Sequence, residues 1–251
     1  MNISRSIPRI VFGLLFAVAS QAFAITDSFE TYSIGNIDGQ GDWIDFGGTL
    51  LTEVSTDQAR TGTQSLKQTL NDVDPNPFDI PGYGSDVYQD LPSVHTSGVW
   101  DLSYWVYVPA NFDGASILHL ADNQVAGGDD LGFGLQLVVD GSATFNEFLA
   151  SQDGSTGTGV SLIRDQWVEV TASIDLDANT VLATYNGSSI FSGTWDPGTD
   201  PASLGGLNLW VQGGEGNGSI YYDDFSLVPE PTNAMLAACG LLAMLAIRRR
   251  K

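Results

Sequence analysis

Between residues 25 and 228, apolar and polar residues alternate in short runs that are broken by glycine, asparagine, aspartate and proline. No long stretch keeps the spacing of a helix, and such alternation is typical of strands with one buried face. A chain of about two hundred residues with this pattern predicts an all-β sandwich in one domain. The clearest predicted strands are Leu102–Val108, Leu131–Val139, Trp167–Ile174, Thr180–Tyr185, Gly206–Val211 and Ile220–Leu227.

Turn-forming residues lie between these strands, at residues 175–179, at Asn186-Gly187 and at residues 213–218. Asparagine followed by glycine favours a tight hairpin. The proline-containing segment 71–84 predicts a long surface loop. Residues 175–179 partly match a calcium-binding loop of the EF-hand type, but Thr180 stands where that loop requires glycine. We therefore interpret them as a hairpin turn.

The first 24 residues have the pattern of a secretory signal peptide. Arg5 and Arg9 precede an apolar stretch at residues 10–19, and Ala22 and Ala24 place small residues before a cleavage site. We therefore expect residues 1–24 to be removed and residues 25–228 to fold outside the cytoplasm. The alternative is a permanent signal anchor.

The last 23 residues, 229–251, combine three features in a fixed order. Pro229, Glu230 and Pro231 come first, and a mostly apolar, uncharged stretch follows at residues 232–247. The chain then ends with the basic residues Arg248, Arg249, Arg250 and Lys251. A helix over 232–247 would span about 24 Å of a hydrocarbon core of about 30 Å. The sequence therefore predicts one transmembrane helix whose basic end stays in the cytoplasm.

This C-terminal segment resembles the PEP-CTERM sorting signal of Gram-negative bacteria. The resemblance implies that an exosortase, a membrane protease-transpeptidase, processes the tail near the Pro-Glu-Pro sequence. It also implies contact with the export machinery and, transiently, with the inner membrane through the helix. The expected destination is the cell surface or an extracellular biofilm matrix, in an organism that produces exopolysaccharide. An uncleaved one-helix anchor is the alternative.

Three segments of the middle region resemble concanavalin-like and carbohydrate-binding-module jelly rolls. They are Asp27-Ser28-Phe29-Glu30, Gly62-Thr63-Gln64-Ser65-Leu66-Lys67 and Tyr221-Tyr222-Asp223-Asp224-Phe225-Ser226-Leu227. The stretch from Asp165 to Gly187 is similar to a hairpin of laminin-G-like domains. The resemblance implies a jelly-roll β-sandwich for residues 25–228, between the signal peptide and the C-terminal helix.

The same resemblance implies a structural calcium ion. Several carbohydrate-binding jelly rolls hold calcium where the first and last strands meet. The residues that match its ligands here are Glu30 and Asp224, with Asp27 nearby, and carboxylate oxygens suit this hard cation. The alternative is that Asp223 and Asp224 only end an edge strand.

The middle region is strongly acidic. Arg60, Lys67 and Arg164 are its only basic residues, against 29 of the 30 acidic residues, so its formal charge is −26. A nucleic-acid partner is excluded because cations must replace the counterions of the phosphates. The one cysteine, Cys239, lies in the C-terminal segment, so residues 25–228 form no disulfide and offer no thiolate for zinc.

The sequence contains no pattern of catalytic residues that we can assign. The Glu-x-Asp-x-x-Glu strand of concanavalin-like glucanases is absent, and so are a nucleophile elbow and a P-loop. His119 lies in an apolar run that looks like a strand, and we interpret it as a structural histidine. We predict a protein that is not an enzyme. A divergent glycan hydrolase or lyase is the alternative.

Alternation separates each strand into an apolar face and an opposite face. If the opposite faces belong to one sheet, their side chains form an aromatic-polar platform suited to sugars. The alternatives are aromatic packing beneath a loop, and a structural or adhesive protein without a small ligand. We predict a surface or matrix protein that binds polysaccharide, and we expect Trp43, Trp100 and Trp195 to pack in the core or loops. The platform residues are Trp105, Tyr107, Gln136, Glu169, Asn208, Trp210 and Gln212.

Overall fold

The computed structural model describes residues 24–46, 51–70, 84–122, 133–142, 147–152, 155–156, 159–196, 198, 202–212 and 218–230. Within these ranges no helix is long and apolar enough to cross a membrane. The predicted signal peptide and the predicted helix at 232–247 lie outside them, as do residues 71–83 of the predicted loop.

The described residues form seventeen strands, numbered in chain order. They are β1 (Ile25–Asp27), β2 (Gly35–Asn36), β3 (Ile44–Asp45), β4 (Thr52–Ser55), β5 (Ser65–Thr69), β6 (Asp86–His95), β7 (Val99–Tyr107), β8 (Ala115–Ala121), β9 (Phe133–Asp140), β10 (Glu147–Gln152), β11 (Ser155–Thr156), β12 (Val160–Ser161), β13 (Trp167–Asp175), β14 (Thr180–Tyr185), β15 (Ser188–Thr194), β16 (Leu204–Gln212) and β17 (Ser219–Pro229).

These strands pair into two antiparallel sheets. The nine-stranded sheet has the order β15-β14-β13-β7-β17-β5-β4-β2, with β1 also paired to β17. The eight-stranded sheet has the order β11-β10-β9-β8-β16-β6-β3, with β12 also paired to β10. The chain changes sheet between β5 and β6, between β6 and β7, and between β7 and β8. Such crossings between two sheets are those of a jelly-roll sandwich.

The core fills the space between the two sheets. Leu102, Tyr104 and Val106 point inward from β7, and Leu207 and Leu209 point inward from β16. Burial alternates strictly along β7 and β13, which confirms the predicted apolar faces. All six predicted strands are present within the described ranges. The three tryptophans expected to pack inside are buried, namely Trp43, Trp100 and Trp195.

Two of the three predicted turns are also confirmed, and residues 213–217 of the third lie outside the described residues. Residues 176–179 join β13 to β14, and Asn186 and Gly187 join β14 to β15. Asn186 has φ of 49° and Gly187 has φ of 72°, which are the left-handed values that an Asn-Gly hairpin requires.

A buried polar network links the sheets inside this core. Gln68 of β5 donates from Nε2 to the carbonyl oxygen of Leu209 on β16, at 3.0 Å. Its Oε1 accepts a hydrogen bond from the hydroxyl of Ser116 on β8, at 3.3 Å, and that hydroxyl also bonds to Tyr222 on β17, at 2.6 Å. Because an unpaired buried polar atom is costly, this network favours one alignment of the sheets.

Replacing Gln68 tests this role. We expect Gln68→Leu to lower the free energy of unfolding by about 1–3 kcal/mol, because Ser116 and the Leu209 carbonyl lose their partner. Urea denaturation measures the change. Gln166→Leu is the control, since Gln166 is exposed and its replacement should change stability by less than about 0.5 kcal/mol. Equal stability of the two variants would contradict the role of the network.

Candidate functional site

The three jelly-roll motifs meet where the first and last strands pair. Asp27 on β1 lies opposite Phe225 on β17. Glu30 accepts hydrogen bonds from the backbone N–H groups of Thr63 and Gln64, both at 2.9 Å. The segments that the motifs identified in the sequence are therefore in direct contact.

Asp223 adds a second connection at this junction. Its carboxylate accepts hydrogen bonds from the backbone N–H groups of Arg60 at 2.8 Å and Thr61 at 3.2 Å. The pairing of β17 with β7 shifts register between Asp223 and Ser226, and Asp224 has a positive φ of 50°. This is the geometry of a β-bulge, which turns the two neighbouring carboxylates in different directions.

The three residues predicted to bind calcium lie near the β1–β17 pair, but their carboxylates have separate hydrogen-bond partners. Asp27 and Asp224 line one cavity of about 350 Å³ at the β1–β17 pair, while Glu30 does not line it. Asp27 accepts hydrogen bonds from Tyr32 and Trp43, at 2.7 and 2.8 Å. No group of three acidic, histidine or cysteine side chains in the described ranges is placed to hold a metal ion.

The carboxylates themselves are already engaged by protein donors. Asp224 forms an ion pair with Arg60 and accepts a hydrogen bond from the Thr61 hydroxyl at 2.8 Å. Glu30 also accepts a hydrogen bond from the Thr63 hydroxyl, at 3.2 Å. The side chains as placed do not fit a calcium ion shared by Asp27, Glu30 and Asp224. Calcium binding here stays a prediction.

The seven residues of the predicted platform do not form one surface. Trp105, Tyr107 and Glu169 lie on the outer face of the nine-stranded sheet, on β7 and β13. The other four lie on the eight-stranded sheet, on β9 and β16. Alternation predicts which face of a strand is apolar but not which sheet the strand joins, so the single platform was wrong. The four platform residues on the eight-stranded sheet are Gln136, Asn208, Trp210 and Gln212. The side chain of Gln212 is not among those that the structure describes.

The aromatic residues on the nine-stranded sheet pack against protein neighbours. The Arg60 guanidinium lies 3.7 Å from the centroid of the Trp105 ring. The ring of Tyr107 contacts Trp167 and Tyr221, with centroids 5.6 and 6.1 Å apart. On this sheet the aromatic residues therefore pack across strands, which was the alternative to a sugar-binding platform.

The outer face of the eight-stranded sheet carries a row of polar side chains across four adjacent strands. Tyr88 of β6 lies opposite Asn208 of β16, which lies opposite His119 of β8, which lies opposite Gln136 of β9. We call these four residues the polar row. Because strand alternation points them away from the core, the packing of the sandwich does not explain their polarity.

Trp210 and Asp86 lie beside the polar row, two residues along their strands, and each contacts one of its members. Trp210 donates from Nε1 to Nε2 of His119, and their rings stack with centroids 6.0 Å apart and planes inclined by 21°. Asn208 donates from Nδ2 to Asp86 Oδ1 at 2.5 Å. Trp210 and Gln136 are half-buried, whereas Tyr88, Asp86, Asn208 and His119 are buried. A ligand on this face therefore meets Trp210 and Gln136 first.

Burial lowers the pKa of His119 to about 4, so the imidazole is uncharged at neutral pH. Its Nε2 accepts the hydrogen bond from Trp210, which assigns the proton to Nδ1. The prediction that His119 lies in a strand is confirmed. Asp86 and Tyr88 were not predicted as site residues from the sequence. The signal was there, because both alternate with the apolar Val87, which is the pattern of a strand with one polar face.

The start of the predicted sorting motif continues the last strand. Pro229 is the final residue of β17 and lies opposite Trp100, and the Glu230 N–H donates to the Val99 carbonyl at 2.8 Å. The nearby carboxylate of Asp101 raises the pKa of Glu230. Pro231, Arg248, Arg249 and Arg250 lie outside the described residues.

Comparison with known proteins supports the fold alone. No protein-family model and no curated protein matches this chain. Alginate lyase Aly36B is similar in structure with a TM-score of 0.57 at 14% identity, over 81% of this chain and 96% of that one. The carbohydrate recognition domain of Emp47p has a TM-score of 0.54 at 12% identity, over 84% and 96%. A sialidase reaches 0.57 at 12% identity over 82% of this chain, which spans only 18% of that protein. The chain therefore has a concanavalin-like jelly-roll fold, as its motifs predicted.

The junction of the first and last strands predicts a pH dependence of stability. Burial raises the pKa of Asp223 to about 6, above the 3.8 of an ordinary aspartate, despite its backbone hydrogen bonds. The folded state therefore holds this proton more tightly than the unfolded state. The protonated Asp223 carboxyl contributes fully to stability below the pKa that this residue has in the unfolded chain. Its contribution is lost as the pH rises through about 6, the pKa in the folded state.

Between pH ~5 and ~7.5, we expect the free energy of unfolding of the wild type to fall by about 1 kcal/mol more than that of Asp223→Asn. Urea denaturation at several pH values measures both profiles. The variant removes the titrating group but keeps every other acidic residue, so the difference between the profiles isolates Asp223. Parallel profiles would show that Asp223 does not titrate in this range.

Proposed function

We propose that residues 25–228 form an exported, non-enzymatic domain that binds polysaccharide through the outer face of the eight-stranded sheet. The observation that carries this proposal is the polar row with Trp210 beside it. Sugar binding combines an aromatic face with hydrogen-bonding groups, and this face supplies both. The likeness to the carbohydrate recognition domain of Emp47p is consistent with it.

The contacts on this face suggest two roles for its residues. Trp210 and Gln136 are partly accessible and would contact the sugar. His119 acts as a positioning residue, because it accepts the indole N–H and stacks on the ring of Trp210. Asp86 accepts a hydrogen bond from the Asn208 amide and so fixes the orientation of that side chain. An aromatic side chain fixed by such neighbours loses little conformational freedom when a ligand binds.

We also propose that the protein is exported across the inner membrane. The N-terminal signal pattern, the Pro-Glu-Pro sequence and the terminal basic cluster support passage across the inner membrane and processing by an exosortase. The domain would then reach the cell surface or the extracellular matrix, where exopolysaccharide is the expected partner. The high acidity of the domain suits a soluble protein in that setting.

A lyase that cleaves acidic polysaccharide is the second candidate. The likeness to alginate lyase Aly36B favours it, and Tyr88 and His119 are residue types that can transfer a proton. Elimination from a uronate also needs positive charge or strong donors at the sugar carboxylate. The described residues of this face include no lysine or arginine, so we favour binding over cleavage.

Calcium stays a separate proposal, at the cavity lined by Asp27 and Asp224. This cavity lies on the β1–β17 pair of the nine-stranded sheet, whereas the polar row lies on the other sheet. An ion there would join the two terminal strands of the domain. We therefore assign it a role in stability and not in sugar contact.

The binding proposal predicts that Trp210→Ala weakens polysaccharide binding at least about tenfold. Removing the indole takes away the aromatic ring that is proposed to contact the sugar. Retention of the full chain, in detergent, on a panel of immobilised neutral and acidic polysaccharides measures the effect. Trp105→Ala is the matched control, because it removes a tryptophan from the outer face of the other sheet.

Both variants should keep the far-ultraviolet spectrum and thermal unfolding transition of the folded wild type. Retention that falls only in Trp210→Ala supports the proposal. Equal retention of Trp210→Ala and wild type would contradict it, as would a larger loss in Trp105→Ala. Release of an unsaturated uronate product, followed by ultraviolet absorbance, would favour the lyase instead.

The proposed export is tested separately, by the location and length of the mature protein. In fractionated cells, residues 25–228 should be found at the surface or in the medium, in a form that has lost residues 1–24. The signal pattern predicts this size change, and mass spectrometry of the N-terminus measures it. The uncut polypeptide in the cytosolic fraction would contradict export.

A further inference from the structure

We infer that the glycan bound by the polar row is uncharged: a neutral polysaccharide, as opposed to one that carries carboxylate or sulfate groups. This inference rests on the proposed function and names the ligand class of that same site. It depends on where the few cations of the domain lie and on the charge of the groups that face the ligand.

The three cations of residues 25–228 are all engaged away from this face. Arg164 donates to the backbone carbonyls of Pro109, Phe112 and Gly141, each at 2.8 Å. A side chain held by three carbonyl groups is fixed in the loop that it closes, so it is not placed to meet a ligand on the polar row.

The other two cations lie on the nine-stranded sheet. Lys67 pairs with Glu53 at 3.1 Å and with Asp57 at 2.8 Å. Arg60 covers Trp105 and pairs with Asp224. Residues 25–228 contain no further lysine or arginine, so no loop of this domain can bring another one to the polar row.

Acidic side chains, in contrast, do lie on the ligand-facing surface. Four of them point outward from β6, β9 and β10, and the domain as a whole carries a charge of −26. Charges of like sign repel a polyanion over roughly 10 Å at moderate ionic strength. The four are Asp86, Asp90, Asp140 and Glu147.

The polar row itself consists of uncharged groups. Tyr88 carries a hydroxyl, Asn208 and Gln136 carry amides, and the His119 imidazole is neutral because burial lowers its pKa to about 4. Gln136 is the partly accessible member of the row, and the other three are buried beneath the surface that a ligand meets. Hydroxyls and amides both donate and accept, which matches the hydroxyl groups of a neutral sugar. Carboxylate and sulfate groups are bound best by the guanidinium of arginine, which is absent from the described residues of this face.

A cationic amino sugar fits this face less well than a neutral one. The Asp86 carboxylate contacts the row directly, where it already accepts the Asn208 amide at 2.5 Å. It is also buried, so an ammonium group would have to be desolvated to reach it. The structure therefore favours a neutral ligand, and a cationic one is an outcome that the experiment distinguishes.

Polysaccharides that share one backbone and differ in charge test this inference. The pairs are hydroxyethyl cellulose with carboxymethyl cellulose, and dextran with dextran sulfate and with diethylaminoethyl dextran. Neutral galactomannan and xyloglucan widen the range of sugars. The full chain in detergent is applied to each immobilised polymer at low and at high salt, together with Trp210→Ala and the control Trp105→Ala.

We expect retention on at least one neutral polymer, at least about tenfold weaker retention on its anionic partner at low salt, and loss of retention in Trp210→Ala. High salt should reduce the difference between the neutral and anionic partners, because it screens the repulsion. Wild type and Trp105→Ala should behave alike.

Trp210-dependent retention that is strongest on an anionic or a cationic polymer would overturn the neutral class and leave the proposed function standing. Retention on no polymer, or retention that Trp210→Ala does not change, would overturn the proposed function and the inference with it.

Discussion

The requirement that each sheet bury one face against the other determines the rest of this structure. Inward-facing residues such as Leu102 and Leu209 meet in a common core, and Gln68 joins the sheets through hydrogen bonds to Ser116 and the Leu209 carbonyl. Since the core accounts for the inner faces, side chains on the outer faces are free to vary. The core therefore does not account for the polar and aromatic residues that lie in register on the outer face of the eight-stranded sheet, which is why we propose the ligand site there.

The sequence predicted the faces of the strands better than the arrangement of the sheets. Alternation along β7 and β16 was sufficient to separate Tyr104 from Trp105 and Leu209 from Trp210, because side chains of a strand alternate regardless of its partners. The sheet that a strand joins depends on pairings between distant segments, such as β16 with β6 and β8. Nothing local in the sequence encodes those pairings, so Trp105 and Trp210 were assigned to one platform although they lie on different sheets.

The local motifs were more informative about the ends of the domain. The segments around Glu30, Gly62 and Asp223 meet at the junction of the first and last strands, where the carboxylates of Glu30 and Asp223 bind backbone N–H groups of residues 60–64. His119 was interpreted as a structural residue, and its burial agrees with that. Its contact with Trp210 was not predictable, because 91 residues separate the two in the chain.

The proposed ligand site is the outer face of the eight-stranded sheet. Nuclear magnetic resonance of isotope-labelled full chain in detergent tests it directly, because each tryptophan contributes a separate indole N–H signal. On titration with a neutral oligosaccharide taken from a polymer that retains the protein, we expect the Trp210 signal to shift and the Trp105 signal to stay in place. A shift of Trp105 without a shift of Trp210 would contradict it.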